Sequence, residues 1–330
     1  MYSRSRKIVL VTGAPRSGTT VVGDQLALAK GTSSLYEPMN GDSGDRQISR
    51  YFERPGVQPL DDAAFDGFVD RLGHLSLNLR SGVFKHETGL RRIAKIVLGG
   101  RSRHSLLRAR LTPFLETLIW KDPLAALAAR AAVERHGIPV VVTYRPPEAV
   151  VASYKRLSWR FPVHQMAEDL SGAGLKGGAL PVRDAKNIVE ESAALWSMIY
   201  AELLSLAQAR PDLVTVLHMD AVLRQPRQSY QSLFARLGLE HGARAERGLA
   251  SLEERLAQKS KSDLPSGHPH SQDRNLNVVN SYWRALLSEE EVARIRARTE
   301  DVRMGYDRYF ESGGAAAISM ATAEKLAEPA

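Results

Sequence analysis

Eight consecutive residues, Gly13-Ala-Pro-Arg-Ser-Gly-Thr-Thr20, combine backbone freedom, a fixed cation and two adjacent hydroxyls. Glycine, four residues, glycine and a hydroxyl two places on is the frame of a phosphate-binding loop, with Thr19 standing where a nucleoside triphosphatase carries lysine. In such a loop successive backbone N–H groups converge on an anion at a helix N-terminus, where the helix dipole adds partial positive charge. Arg16 supplies a guanidinium able to fork around an oxyanion, and Thr19 and Thr20 can donate hydroxyl hydrogen bonds. The apolar run Lys7–Val11 before the octet and the helix-like stretch Val21–Ala29 after it give the order strand, loop, helix that this chemistry requires. A plain glycine-serine turn is the other reading. The octet predicts a grip on an anionic nucleotide, without the lysine of ordinary ATP or GTP hydrolysis.

A second constellation lies downstream. Ile138–Tyr144 reads as a strand, Pro146-Pro147 as a turn and Glu148–Leu157 as a helix, with Arg145 at the strand end and Ser153 eight positions later. Alone, an arginine after a strand is mostly solvated charge. Beside the octet, Arg145 and Ser153 become a second anion grip. Together the two constellations resemble the sulfotransferase superfamily, in its bacterial and carbohydrate-type members, which transfer the sulfuryl group of 3′-phosphoadenosine 5′-phosphosulfate. The resemblance implies that Pro15, Arg16, Ser17, Gly18, Thr19 and Thr20 hold the 5′-phosphosulfate, and that Arg145 and Ser153 hold the 3′-phosphate. It extends through Gln225-Pro226, Leu233–Leu239, Trp283–Glu290 and Gly305-Tyr306, spanning roughly residues 7 to 310.

Sulfuryl transfer requires a base for the acceptor proton, positive charge on the transferring oxygens and stabilisation of the departing phosphate oxygen. Glu37, in Leu35-Tyr-Glu-Pro-Met-Asn40, follows an apparent second strand, and a parallel sheet would set it beside the glycine loop. It resembles the glutamate base of carbohydrate- and tyrosine-directed sulfotransferases, and desolvation would raise such a carboxyl toward neutrality. Lys121, at the end of a strand before Asp122-Pro123, resembles the lysine that relatives aim at the sulfuryl and bridging oxygens. Arg16 adds charge inside the loop. His86 and Glu87 form a rival base pair after the run Gly82–Lys85, and Trp159 and Arg160 are candidates for contact with an acceptor sugar.

The chain also departs from the family's pattern. His218-Met-Asp220 stands where relatives often have Tyr-Glu-Asp, and the Arg-Lys-Gly and Lys-x-His signatures of cytosolic members are absent. Arg274, Lys259 or Lys261 are the candidates to close on the 3′-phosphate instead. No residues have convincing metal-ligand spacing, and His268-Pro-His270 reads as a loop pair, so no metal is expected.

Positioning these residues takes alternating strands and helices. Strand-like runs at Lys7–Val11, Ser33–Tyr36, Gly82–Lys85, Thr117–Trp120, Ile138–Tyr144 and Leu213–Leu217 alternate with helix-period segments, among them Ala63–Leu75, Leu124–His136, Asp184–Ala209 and Gln228–Leu237. Nearly all-apolar strands suit a parallel sheet buried on both faces. The fold class predicted is α/β: a three-layer α/β/α sandwich of phosphate-loop type around a central, mostly parallel sheet. One domain over residues 1–310 is expected, with inserted substrate loops near 40–60, 159–183 and 259–280 and a frayed tail over 311–330. Asn40–Pro59 and Ser171–Leu180 read as surface loops.

The bulk numbers are compatible with this. The chain has 330 residues, 43% hydrophobic and 25% charged, as in ordinary globular proteins, and a net charge of +8 that suits an anionic ligand. Absence of cysteine excludes disulfides and thiolate metal sites. Basic and aromatic residues are not interleaved as on a nucleic-acid surface, and no apolar run approaches a membrane span. A cytoplasmic enzyme with a small-molecule or glycan acceptor is expected. The rival readings are an ATP-dependent small-molecule kinase, with Asp122 as its magnesium acid, and a nucleotide-binding module without catalysis.

Overall fold

The computed structural model describes residues 5–81, 100–172, 182, 184–257, 282–313 and 317–318. His86, Glu87, Lys259, Lys261, His268, His270, Arg274 and the predicted strand Gly82–Lys85 lie outside the described residues.

The elements follow in the order β1 (Lys7–Thr12), α1 (Thr19–Leu26), β2 (Thr32–Tyr36), α2 (Asp62–Gly73), α3 (Arg101–Leu111), β3 (Thr117–Lys121), a 3₁₀ turn (Pro123–Ala128) and α4 (Ala129–His136). After these come β4 (Val140–Tyr144), α5 (Pro147–Leu157), α6 (Val163–Gly172), α7 (Ile188–Ala209) and β5 (Val214–His218). A short helix (Met219–Arg224), α8 (Pro226–Leu237), α9 (Ala243–Ala257), a helical turn (Trp283–Leu286), α10 (Glu289–Glu311) and β6 (Ala317–Ile318) complete the described chain. The six strands form one sheet in the order β2-β3-β1-β4-β5-β6, and every pairing is parallel.

The period of two along the strands explains the three layers. Leu10, Leu118, Trp120, Val140 and Val142 point into one large core, where α2, α4 and α7 pack. Their alternates Val9, Val11, Ile119 and Val141 face a second core under α1, α8 and α9. The predicted architecture is the observed one.

Local signals set the ends of the helices. Asp61 and Asn187 cap α2 and α7 with side-chain oxygens on first-turn N–H groups. Ser288 and Glu291 form a capping box at the start of α10. Pro147 opens α5 and Pro226 opens α8, where a missing N–H costs nothing.

Asn40–Pro59 carries no helix or strand, as a loop reading expects, but it is anchored: Ile48 and Phe52 are buried in the main core. The Glu53 carboxylate accepts from the backbone N–H groups of Ser49 and Arg50, and Asp45 accepts from that of Asn78. These bonds replace secondary structure in satisfying buried backbone. Beyond Phe310 the chain is not wholly frayed either, since Ala317–Ile318 pairs with Val216–Leu217 at the sheet edge. Ser171 belongs to the end of α6, while 173–180 fall outside the described residues.

Candidate active site

The connection after β1 runs toward β2 on one side, and the connection after β4 runs toward β5 on the other. The crevice between β1 and β4 is therefore the switch point of the sheet, where ligands gather in open α/β folds. The octet leaves β1 there. Gly13 has φ 147° and Gly18 φ 99°, and an added Cβ would meet the Thr143 carbonyl at 2.5 Å and the Met219 methyl at 2.6 Å respectively. Gly13 is required by conformation and by its backbone contact, and Gly18 by its conformation, since the Met219 side chain over it can move. Arg16 also has a positive φ, 72°, a strained choice for a side chain with a Cβ, and the surroundings hold it.

Those surroundings join the two sequence constellations. Arg16 donates from Nε to Ser153 Oγ at 3.1 Å, and Arg145 donates from its guanidinium to the Arg16 carbonyl at 2.8 Å. Tyr154, next to Ser153, donates its hydroxyl to the Pro15 carbonyl at 2.7 Å. Trp196 Nε1 donates to the Arg145 carbonyl and Tyr200 to the Thr143 carbonyl, so α7 fixes the end of β4 from below. Sequence reasoning missed Tyr154, Trp196 and Tyr200. They lie in α5 and α7 as aromatic residues, and only their hydroxyl or indole N–H marks them as more than core.

Burial holds the Arg16 guanidinium below its ordinary pKa, with Arg145 and Arg156 adding repulsion and Tyr282 opposing it. Burial likewise lowers Arg145, while Tyr282 and Tyr200 pull it back. Among the described residues no carboxylate forms a salt bridge with Arg16. Half-buried Arg16 and buried Arg145 set two guanidinium groups beside a loop of backbone N–H groups, a setting that favours an anion. The residues present therefore fit a phosphate or phosphosulfate group. Ser17 fits less directly than expected: its hydroxyl is taken by Thr143 Oγ1 at 2.7 Å and its N–H by the Ala14 carbonyl. Thr19 is buried and Thr20 is exposed.

On the other flank, β3 and β2 bring Lys121 and Glu37 together. In register, Tyr36 pairs with Lys121, and the Glu37 N–H donates to the Lys121 carbonyl at 2.8 Å. Lys121 Nζ lies 2.9 Å from Glu37 Oε1 and 3.4 Å from the centroid of the Tyr36 ring, a cation held by a carboxylate and an aromatic face. Asn40 donates to the second Glu37 oxygen at 3.1 Å. Glu37 has φ 45°, so the backbone is strained at this position as at Arg16.

The proton affinity of Glu37 is opposite to the sequence expectation. Burial raises it, but the Lys121 ammonium and hydrogen bonds from Lys121, Asn40 and Tyr36 win, and the carboxyl lies below its ordinary value. Lys121 is lowered by burial and raised more by Glu37 and Tyr36, ending above its ordinary value. The carboxyl pushed up to about 7 is that of Asp122, first by burial and then by the Glu37 charge. Asp122 is a structural clasp. It accepts from the Met39 N–H at 2.6 Å, from Trp120 Nε1 at 3.4 Å and from the Leu124 N–H at 2.9 Å. It thus holds the loop bearing Glu37 against the start of the 3₁₀ turn, with both oxygens engaged in the fold. Among the described residues no cluster of three metal-ligating side chains occurs.

Trp159 stands beside the octet. The Arg16 guanidinium carbon is 6.0 Å from its ring centroid, and the ring stacks on Tyr154 and meets Phe161 edge-on. Arg160 turns to Glu191 at 3.6 Å. Half-buried His218 is lowered by desolvation, accepts on Nδ1 from the Asp220 N–H, and packs against Tyr144 and Phe310. Its neighbour Met219 fills the space over Gly18.

No family model matches the chain, and no curated protein matches it. Among solved structures it is similar to the sulfotransferase domain of the curacin biosynthetic pathway, at 16% identity and a TM-score of 0.45, covering 90% of this chain and 98% of that domain. It is similar as well to the sulfotransferase domain of the Synechococcus PCC 7002 olefin synthase, at 15% identity and a TM-score of 0.41 over 90% of this chain and 96% of that one. A sulfotransferase from Mycobacterium avium follows at 13% identity and a TM-score of 0.41, covering 91% of this chain and 77% of that one. The likeness is one of fold outline, and it assigns no role to any residue.

Proposed function

We propose that the chain is a sulfotransferase, moving the sulfuryl group of 3′-phosphoadenosine 5′-phosphosulfate to a hydroxyl on a carbohydrate, glycolipid or small metabolite. The observation that carries this reading is the contact of Arg16 with Ser153 at 3.1 Å, with Arg145 on the Arg16 carbonyl. Two anion-binding motifs far apart in sequence meet at one crevice, as a ligand with two separated phosphates demands. Arg16 and the N–H groups of the loop orient the 5′-phosphosulfate, and Arg145 with Ser153 takes the 3′-phosphate. The donor supplies an activated sulfur and a good leaving group.

Glu37 and Lys121 then divide the remaining work. Glu37, ionised at neutral pH, accepts the proton of the acceptor hydroxyl as its oxygen bonds to sulfur. The bond from sulfur to the bridging phosphate oxygen breaks, and Lys121 and Arg16 meet the charge that develops on that oxygen. As Lys121 turns from Glu37 toward the bridge, the carboxylate loses its ion pair in a buried setting and its proton affinity rises. A weak resting base thereby becomes stronger at the moment of transfer. The thorough engagement of Asp122 in the fold gives the kinase reading no ready magnesium ligand.

The test is transfer of labelled sulfur from the donor to a panel of hydroxyl acceptors. Transfer by the wild-type chain and none by Glu37→Gln is expected. Transfer of phosphate from magnesium ATP, with no transfer of sulfur, would establish the kinase instead.

A further inference from the structure

Among the described residues, the exposed large apolar side chains include Leu107 at 54%, Leu111 at 72% and Phe114 at 92%, all on α3 and the turn that follows it. Leu107 and Leu111 are one helical turn apart, and Arg101, His104 and Arg108 are exposed at the same helical spacing. The helix carries Arg101, Arg103, His104, Arg108 and Arg110 and no acidic residue. Lone exposed leucines need no explanation, but a cluster on one basic helix does.

The face is held rigidly. Arg103 donates to the Leu79 carbonyl, Arg110 to the Leu75 carbonyl and Arg108 to Ser34 Oγ, which pin α3 to the body of the protein. Phe114 has φ 50°, and its turn is closed by the Glu116 and Thr117 N–H groups on the Gly31 carbonyl at 2.9 and 3.1 Å. Backbone strain is thus spent on holding a phenyl ring out in solvent. Beside this face opens a cavity of about 640 Å³ lined by Leu107, Leu111, His104, Arg108 and Arg244, with Asp24 of α1 as its carboxylate.

Projecting apolar side chains interleaved with arginine are the chemistry of an interfacial helix, which sets apolar groups into the headgroup–acyl boundary and cations on lipid phosphates. Leucines offer nothing to a nucleic-acid backbone, and the excess of cations opposes contact between two copies of the same face. We propose that α3 and Phe114 dock the protein on an anionic phospholipid bilayer. Leu107, Leu111 and Phe114 enter the interface, and Arg101, Arg108 and Arg244 meet lipid phosphates. The face adjoins the candidate catalytic pair, since the Arg101 guanidinium carbon lies 5.7 Å from the centroid of the Tyr36 ring on which Lys121 rests. Docking is read without donor or acceptor, so it stands or falls apart from the transfer chemistry.

The experiment is cosedimentation of the full chain with vesicles of phosphatidylcholine, alone or mixed with phosphatidylglycerol. Binding to the mixed vesicles only, weakening as salt is added, is expected. The triple variant Leu107→Ser, Leu111→Ser, Phe114→Ser should bind at least about tenfold more weakly. Arg108→Gln with Arg244→Gln should also weaken binding about tenfold. Phe114→Ser alone, at the most exposed position, gives a second reading with unchanged circular dichroism. Failure to bind mixed vesicles, or binding untouched by the serine variants, overturns the proposal. A wild-type dimer that the triple variant dissolves, without vesicle binding, assigns the face to a second copy and overturns it as well.

Discussion

The two flanks of the crevice solve opposite electrostatic problems. On the β1/β4 flank, half-buried Arg16 and buried Arg145 lie near one another, and burial holds both below their ordinary pKa. On the β2/β3 flank, half-buried Glu37 and buried Lys121 already neutralise each other at 2.9 Å. In the proposed function the first flank binds the anionic donor. The second is poised to exchange, because its pair must part for either member to act. What they share is a non-glycine residue in the left-handed region, Arg16 at φ 72° and Glu37 at φ 45°.

Substitutions separate the flanks most sharply on the exchanging side. Glu37→Gln should lower turnover by about 10²–10⁴-fold while leaving affinity for 3′-phosphoadenosine 5′-phosphate unchanged. Comparable loss of affinity in this variant would merge the two flanks into one. Lys121→Ala strands a buried carboxylate and should destabilise the fold by about 3–5 kcal/mol in urea unfolding, and the double variant with Glu37→Gln should recover part of that. On the binding side, Arg145→Ala should cost about 2–5 kcal/mol of nucleotide affinity. Ser153→Ala removes one hydrogen bond to Arg16 and should cost only about 0.5–1.5 kcal/mol.

The smallest effect is the pH dependence of stability, where the sign differs between neighbours. The lowered Glu37 carboxyl contributes stability that is present above the ordinary glutamate pKa and is lost as pH falls through its folded value. The raised Lys121 contributes stability below the ordinary lysine pKa that is lost as pH rises through its folded value. Asp122, raised to about 7, acts in the reverse sense: between the ordinary aspartate pKa and about 7 the folded state keeps a proton the unfolded chain has lost, so stability declines with rising pH. Unfolding measured across pH should show that Glu37→Gln reduces the acid-side loss, to which the lowered Asp66, Glu190 and Glu291 carboxyls also contribute. It should also flatten the Asp122 decline, because the Glu37 charge is one of its causes.

The binding flank was far more legible in the sequence than the exchanging one. The octet declares itself because a phosphate loop is one contiguous segment whose glycines and order of elements are fixed by geometry. The layered sheet was legible for a similar reason, as runs such as Val140–Thr143 admit few alternatives. The Glu37–Lys121 pair depends on the register of two strands far apart in the chain, so sequence could nominate both residues but not their contact. Without that contact the proton affinity of Glu37 was expected in the wrong direction. The anchoring of the Asn40–Pro59 loop was not legible, because Asp45 and Glu53 read as ordinary surface charges and are in fact buried acceptors for loop backbone. Helix α3 was missed since its arginine-rich, leucine-exposing pattern lacks the usual apolar stripe.

In the proposed mechanism nucleotide is held on one flank and the acceptor proton is taken on the other. Calorimetric titration with 3′-phosphoadenosine 5′-phosphate of the wild-type chain, Arg145→Ala and Glu37→Gln tests it most directly. Equal affinity for wild type and Glu37→Gln, with a large loss for Arg145→Ala, is the predicted result. Affinity unchanged in Arg145→Ala, or no binding by the wild-type chain, would contradict it.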